Sequence, residues 1–203
     1  PEGFEAKPFQ WASPEIHKMG IIEVQSYHGT VTHILPMQAP AGLKQGSEIT
    51  LQGRASWLMC SKQCIPAYQD LSITLQVLKQ PIAVAKWQKH FAKTRADQPA
   101  AVPGWKLTAR TTGEIIELEI QPGKDAPPVP AAPWFFCDEN HLTTQTPPEY
   151  KPQGRGLVIR MTKTEWAPAK IPQLTGHIHS DKGWDSAGKI KNLRVNIPLD
   201  PQD

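Results

Sequence analysis

Proline is the residue that most constrains how this chain folds. The sequence contains 21 prolines in 203 residues, with runs at 126–130 and 146–148. Because proline has no backbone N–H and a fixed φ, it suits turns and sheet edges and interrupts long helices. The proline content therefore argues against a long helical bundle and favours strands joined by irregular loops.

Composition places the chain among folded globular proteins. Hydrophobic residues make up 39% and charged residues 20%, which is enough apolar material for a packed core. The net charge is +3 with scattered lysines and arginines, so we expect a mildly basic surface and no nucleic-acid partner. No apolar run reaches the roughly 18 residues of a membrane span. The abrupt start at Pro1, without a signal peptide, indicates an excised piece of a longer chain.

Period-two alternation predicts a mainly β fold. It is clearest at 71–77, where leucine, isoleucine and valine alternate with serine, threonine and glutamine. Further strands are predicted at 21–25, 30–36, 48–59, 105–110, 114–120, 157–162, 174–180 and 192–197. A single helix is predicted at 82–96, because Val84, Trp87 and Phe91 are spaced to share one helical face.

These elements predict three parts in the chain. A first β domain occupies 1–80, a linking helix 81–102, and a second small β-sandwich 103–203. The proline-rich tail at 198–203 is predicted to be a linker.

The cysteines Cys60 and Cys64 carry the main chemical signal. Cys60 ends one predicted strand and Cys64 begins the next, so three residues form a hairpin tip between them. Facing residues of antiparallel strands have Cα atoms about 4.5–5.5 Å apart, within the range of a disulfide. The closed loop is short and stabilises the fold by only about 2 kcal/mol, which suits a reversible switch better than a staple. Lys62 lies inside the loop, where its charge favours a thiolate, and Pro66 keeps Cys64 near a sheet edge.

Two other interpretations of this pair remain open. The first is an inert hairpin disulfide. The second is a two-thiolate metal site, although zinc normally takes four ligands and the chain has no second cysteine pair. The third cysteine, Cys137, follows two aromatic residues and is predicted to lie in the second core as a small hydrophobe.

The residues around the cysteines resemble a known family. Trp57, Cys60, Cys64 and Pro66, followed by the alternating strand, are similar to the N-terminal periplasmic domain of the thiol:disulfide interchange protein DsbD. The likeness is strongest to the branch containing copper-sensitivity suppressor proteins. The opening segment 1–14 and the segment 27–36 also match, and the resemblance is specific over 1–100.

The resemblance implies an immunoglobulin-like β-sandwich that acts as a protein-disulfide reductase domain with Cys60 and Cys64 as the catalytic pair. It implies electrons arriving from a membrane-embedded segment of the same polypeptide through a thioredoxin-like domain and leaving to periplasmic thiol oxidoreductases. No cofactor is implied. By position, Tyr27 and His28 form a cap that shields the cysteines, with Trp57, Lys62 and Pro66 in support. The localisation implied is periplasmic, as part of an inner-membrane protein.

Two features depart from the family pattern. Strands that usually precede the opening block are missing, so the first sandwich is expected to lack an edge strand or to be completed by a neighbouring chain. The spacing between the two cysteines is also shorter than in the best-known branch, which would change the reduction potential but not the reaction.

A copper-binding or copper-tolerance module is the alternative function. Cys60, Cys64 and Met59 are candidate ligands for copper(I), and Met37 is a further soft candidate. His177 and His179 alternate on a predicted strand and could bind copper(II), although a solvated strand face is the simpler interpretation.

Overall fold

The computed structural model describes residues 1–19, 22–61 and 63–201. Strands hold 46% of the residues and helix 6%, which confirms the predicted mainly β class. In chain order the elements are β1 (Glu5–Ala6), β2 (Glu15–Met19), β3 (Ile22–Ser26), β4 (Met37–Gln38), β5 (Glu48–Cys60), β6 (Cys64–Gln76), α1 (Ala85–Ala96), β7 (Trp105–Thr112), β8 (Ile115–Pro122), β9 (Trp134–Cys137), β10 (Glu149–Gln153), β11 (Gly156–Thr162), β12 (Gln173–His179) and β13 (Asn192–Pro201).

Contacts divide the chain into two compact units. Unit 1 contains residues 1–12 and 27–95, and unit 2 contains 13–26 and 96–203. The β2–β3 hairpin thus groups with the later part of the chain, although it precedes the cysteine pair in sequence. The limits 1–80, 81–102 and 103–203 stay a prediction.

Unit 1 is built from short pairings and one long hairpin. Strand β1 pairs with β4, and β5 pairs with β6 along their whole length. The predicted helix forms as α1, and its Thr94 is buried and donates a hydrogen bond to the carbonyl of Thr32 at 2.7 Å. Lys93 and Arg95 lie in the last turn, where cations interact favourably with the helix dipole.

The strand predicted at 30–36 does not form. Ile34 is buried and exchanges two backbone hydrogen bonds with Gln10, at 2.8 and 3.1 Å, but this is an isolated bridge. Pro36 has no N–H to donate, and Pro8 interrupts the facing segment in the same way, so the pairing cannot extend into a ladder.

Unit 2 is organised by a curled seven-stranded sheet. The strand order is β10–β11–β8–β7–β13–β12–β9, antiparallel except where β13 meets β7. Strand β13 pairs with β12 through residues 192–198 and then with β7 through Leu199–Pro201. This change of partner curls the sheet around its core.

The side chains that form this core come from alternate positions along the strands. In β8, Ile116, Leu118 and Ile120 are fully buried, and side chains of β11, β12 and β13 join them in one apolar cluster. The opposite ends of the curled sheet therefore share a single core, as in an immunoglobulin-like β-sandwich. Indole N–H groups are satisfied within it, because Trp184 donates to the carbonyl of Ile178 at 2.9 Å and Trp105 to that of Trp184 at 2.8 Å.

The tail prediction was wrong over residues 198–201. These residues extend β13, and Leu199 is 5% exposed within the core. Burial of the Leu199 side chain where β13 pairs with β7 outweighs the turn preference of the neighbouring prolines. Among the described residues, the structure contains no helix of sufficient length and hydrophobicity to cross a membrane.

Candidate redox site

The two cysteines face each other at the end of a long antiparallel hairpin. Strands β5 and β6 have 13 residues each and pair without interruption from Glu48 opposite Gln76 to Cys60 opposite Cys64. Cys60 and Cys64 form a disulfide with Cα atoms 4.1 Å apart, and both residues are exposed. In the turn, the amide of Ser61 donates to the carbonyl of Gln63 at 3.2 Å. The predicted hairpin tip is therefore present, with the disulfide open to solvent.

The face of the hairpin that carries the disulfide is polar over most of its length. Facing residues of a ladder point to the same side, and the side alternates along each strand. Arg54 and Asp70 form a two-point ion pair there, at 2.6 and 3.0 Å, and Arg54 also lies over the Tyr68 ring at 4.9 Å. These exposed cross-strand contacts are consistent with the backbone register that sets Cys60 opposite Cys64.

Close to the disulfide the surface becomes apolar. Leu58 and Pro66 face each other on the disulfide side, and Leu58 is 63% exposed. Met59 and Ile65 face each other on the opposite side and are about half exposed. Because exposed apolar patches on soluble proteins commonly mark interaction sites, the hairpin tip is a candidate docking surface.

The predicted supporting residues have different environments. Trp57 lies on the hairpin face opposite the disulfide, across from Ala67, and is 45% exposed. Pro66 is placed two residues from Cys64 on the disulfide side, within β6. Lys62 lies outside the described residues, so its predicted effect on the thiolates stays a prediction.

The predicted cap residue Tyr27 is held by a hydrogen bond to the backbone and by contact with an aromatic ring. Its hydroxyl donates to the carbonyl of Ala12 at 2.8 Å, and its ring meets the edge of His33 at 4.9 Å. The His33 ring also contacts Trp11 at 4.7 Å, and burial lowers the pKa of His33. His28, next to Tyr27, is exposed.

Sequence reasoning missed His33 and Trp11 as the residues that position Tyr27. The signal was weak, because an isolated histidine and an aromatic residue in a loop have many structural uses. The contacts among Trp11, Tyr27 and His33 form only when the chain folds, and no short sequence spacing predicts them. The roles of Tyr27 and His28 as a cap stay a prediction.

Cys137 has a different environment from the hairpin pair. It is an unpaired cysteine that packs against the core of unit 2. Burial raises the pKa of its thiol, an effect opposed by the backbone amides of Glu139 and His141. The thiol is thus disfavoured as a nucleophile, in agreement with its prediction as a small core hydrophobe.

The histidines of β12 do not form the solvated face that was the simpler interpretation. His177 is buried, its Nε2 lies 2.9 Å from Ser13 Oγ, and its ring stacks on Phe136 at 5.0 Å. The phenylalanine and a serine 164 positions away cover the imidazole, which pattern reasoning on one strand could not foresee.

His179 is more open than His177. Its Nδ1 lies 2.7 Å from Asn192 Oδ1 and its Nε2 lies 3.3 Å from Asp181 Oδ1. Over residues 1–19, 22–61 and 63–201, no group of three or more histidine, cysteine, aspartate or glutamate side chains has an arrangement suited to a metal ion.

Comparisons with known proteins bear on the first part of the chain. Residues 1–76 match a protein-family model described as thiol:disulfide interchange protein DsbD, N-terminal. Comparison with curated protein sequences gave no match.

A solved structure resembles the chain over most of its length. The crystal structure of the N-terminal periplasmic domain of ScsB from Proteus mirabilis superimposes with a TM-score of 0.63 at 17% identity, covering 97% of this chain and 79% of that one. At this identity the match supports a shared fold. The family match and the disulfide at the hairpin tip together confirm, over residues 1–76, the resemblance to the N-terminal part of the thiol:disulfide interchange protein DsbD.

Proposed function

We propose that this chain is a periplasmic thiol:disulfide interchange module in which Cys60 and Cys64 alternate between dithiol and disulfide. The observation that carries the proposal is an exposed disulfide at a hairpin tip, inside the segment that matches the DsbD N-terminal family. A disulfide closing such a short loop contributes little stability, so its position suits exchange better than structural support.

The reaction needs no group beyond the cysteines and a dithiol partner. A thiolate of the partner attacks one sulfur of the Cys60–Cys64 disulfide, forming a mixed disulfide and releasing the other cysteine as a thiolate. The second thiolate of the partner then attacks the mixed disulfide, so the partner leaves oxidised and both hairpin cysteines are reduced. Two electrons and two protons move in total, and the reverse sequence reduces an oxidised acceptor.

The surroundings of the disulfide favour a protein as the exchange partner. Leu58, Met59 and Ile65 present half-exposed apolar side chains at the tip. We expect them to contact thioredoxin-like proteins and periplasmic thiol oxidoreductases, with a membrane-embedded segment of the full-length polypeptide as the source of electrons. The periplasmic assignment follows the named location of the ScsB domain that shares the fold.

Thiol labelling before and after mild reduction tests the proposal. We expect two additional reactive thiols after reduction with a thioredoxin-like dithiol protein, and the same two in Cys137→Ala, which lacks the unpaired cysteine. Mass mapping should place both labels on Cys60 and Cys64. Labels confined to Cys137, or no gain on reduction, would refute the proposed exchange.

From its position in the family pattern, Tyr27 is proposed to shield the cysteines in the reduced state, with His28 beside it. In the disulfide state described above, both cysteines are exposed. Tyr27→Ala should then accelerate alkylation of the reduced protein by a small reagent, because the ring is removed. Tyr27→Phe is the matched control, since it keeps the ring and loses only the hydrogen bond to Ala12. Equal alkylation rates in Tyr27→Ala and the unsubstituted protein would remove Tyr27 from the site.

A further inference from the structure

One segment of unit 1 carries positive charge without any negative charge. Residues 71–96 contain four lysines and one arginine, and all 19 acidic residues of the chain lie outside this segment. Lysines and arginines are spread over the chain, but the acids that balance them elsewhere are missing here. Because a patch of one sign attracts partners of the opposite sign, this segment is a candidate surface for an anionic partner.

The lysines of α1 share one side of the helix. Lys86, Lys89 and Lys93 are three and four positions apart, which aligns them along one face. All five cations of the segment are exposed, and none of them forms an ion pair with a residue that the structure describes. Their charges are therefore not neutralised by nearby carboxylates.

Exposed apolar side chains lie beside these cations. Ile82 and Val84, in the chain just before α1, are 75% and 60% exposed. Within the helix, Trp87 is about half exposed, although Thr94, seven positions later on the same face, is buried. The Lys86 ammonium lies over the Trp87 ring at 4.8 Å. The start of the helix thus presents apolar and cationic side chains to solvent together.

This combination favours the surface of a lipid bilayer over a protein or a free anion. Lysines and arginines beside exposed aliphatic and indole side chains are typical of helices that lie at the interface of an anionic membrane. Interfaces between proteins are instead depleted in lysine. A free phosphate would contact the cations but would leave Ile82 and Val84 in water.

We propose that the segment 79–95 of unit 1 binds the surface of an anionic phospholipid bilayer. Ile82, Val84 and Trp87 would enter the headgroup region, and the five cations would lie near the lipid phosphates. The binding is peripheral and involves neither cysteine of the hairpin. Thiol exchange with a soluble partner would therefore continue without it, so the two proposals can fail separately.

Co-sedimentation of the full chain with lipid vesicles tests the proposal. We expect vesicles that mix phosphatidylcholine with phosphatidylglycerol to bind the unsubstituted chain at least about tenfold more tightly than vesicles of phosphatidylcholine alone. The affinity for the anionic vesicles should fall as salt is added, because salt screens the attraction between charges. Equal affinity for the two kinds of vesicle, or no binding to either, would overturn the proposal.

Two sets of lysine substitutions separate this segment from the net charge of the chain. Replacing Lys86, Lys89 and Lys93 with glutamine, which has a similar helix propensity, should weaken binding to anionic vesicles about a hundredfold. The matched control removes the same charge from three exposed lysines of unit 2, Lys106, Lys124 and Lys182. It should weaken binding by no more than about threefold. Equal losses in the two sets would show that overall charge alone attracts the chain, against the proposal.

The apolar contacts distinguish a bilayer from an acidic protein. Ile82→Ser combined with Val84→Ser should weaken vesicle binding about tenfold or more, and the fold should tolerate the changes because both side chains are exposed. Trp166→Ser, which removes an exposed aromatic side chain from unit 2, is the control and should leave binding unchanged. If the paired serine substitutions have no effect, or if polyglutamate binds as tightly as the anionic vesicles, the surface fits an acidic polypeptide and the proposal is refuted.

Discussion

At the scale of single residues, His177 shows how its environment determines the ionisation of a side chain. Burial lowers the pKa of His177 to about 4, with smaller contributions from the positive charges of Arg194 and His179. The imidazole is therefore neutral at pH 7. Its 2.9 Å contact with Ser13 Oγ is then a hydrogen bond between neutral groups, which joins segment 13–26 to β12 within unit 2.

Protonation of His177 should destabilise unit 2 in acid. Between its unfolded pKa near 6.5 and its folded pKa of about 4, the unfolded chain binds a proton that the folded chain excludes. The part of the free energy of unfolding that is linked to His177 is therefore fully present above pH 6.5. It is lost as the pH falls through 4, by about 3 kcal/mol in total. Denaturant unfolding at a series of pH values, together with an NMR titration of the imidazole, measures this loss.

His177→Gln is the matched control for this pH effect. The amide is neutral at every pH and keeps a hydrogen-bonding group near Ser13. We expect the variant to lose less stability between pH 6.5 and 4 than the unsubstituted chain. Parallel pH profiles for the two proteins would show that carboxylates, and not His177, dominate acid unfolding.

At the scale of elements, the β5–β6 hairpin has cross-strand contacts along its length in addition to the disulfide. Thr50 and Thr74 are hydrogen-bonded at 2.9 Å, and Arg54 pairs with Asp70, so cross-strand contacts occur well away from the tip. Exposed pairs of this kind are individually weak, and the backbone ladder supplies the rest of the alignment. The disulfide is thus one constraint among several on the position of the two strands.

Replacing both cysteines should separate folding from function. The loop closed by the disulfide contributes about 2 kcal/mol, against the roughly 5–15 kcal/mol typical of a folded domain. Cys60→Ala with Cys64→Ala should remain folded with a lower Tm and lose electron exchange with a thioredoxin-like protein. Circular dichroism and an exchange assay measure the two effects. If the double variant unfolds at room temperature, the disulfide is a structural staple.

At the scale of the whole molecule, the two units differ in how their strands are protected from solvent. In unit 2, β8 is paired on both sides and its inward side chains are fully buried. In unit 1, β5 and β6 have no other strand partner among the described residues, and apolar side chains such as Leu71 and Ile73 are more than half exposed. Resistance to local opening depends on buried apolar contacts as well as on hydrogen bonds, so we expect the units to differ in local stability.

Amide hydrogen exchange should report this difference. We expect amides of Leu118 and Ile120 in β8 to exchange at least about a hundredfold more slowly than those of Ile73 and Leu75 in β6. Both sets lie in antiparallel ladders, so the comparison separates side-chain burial from backbone pairing. Similar protection in the two strands would mean that the apolar face of the hairpin is covered in solution.

The sequence by itself determined the elements that depend on local pattern. Alternation at 71–77 and around Ile116, Leu118 and Ile120 predicted strands, because side chains on a pleated backbone point to alternate faces. The spacing of Trp87 and Phe91 predicted a helix, and the three residues between Cys60 and Cys64 predicted a hairpin tip. Each of these signals lies within a few consecutive residues. The candidate redox pair is one of them, so its chemistry could be predicted from the sequence.

Tertiary structure alone decided the features that depend on distant partners. The 30–36 segment carried strand-forming residues but had a proline-interrupted partner, and the tail entered the sheet because Leu199 could be buried there. Burial lowers the pKa of His177, and one of the residues that contact its imidazole is Ser13, which is 164 positions away in sequence. The position of β9 at the end of the strand order likewise depends on how distant strands assemble. Burial and edge position are properties of the assembled sheet, so no local pattern could specify them.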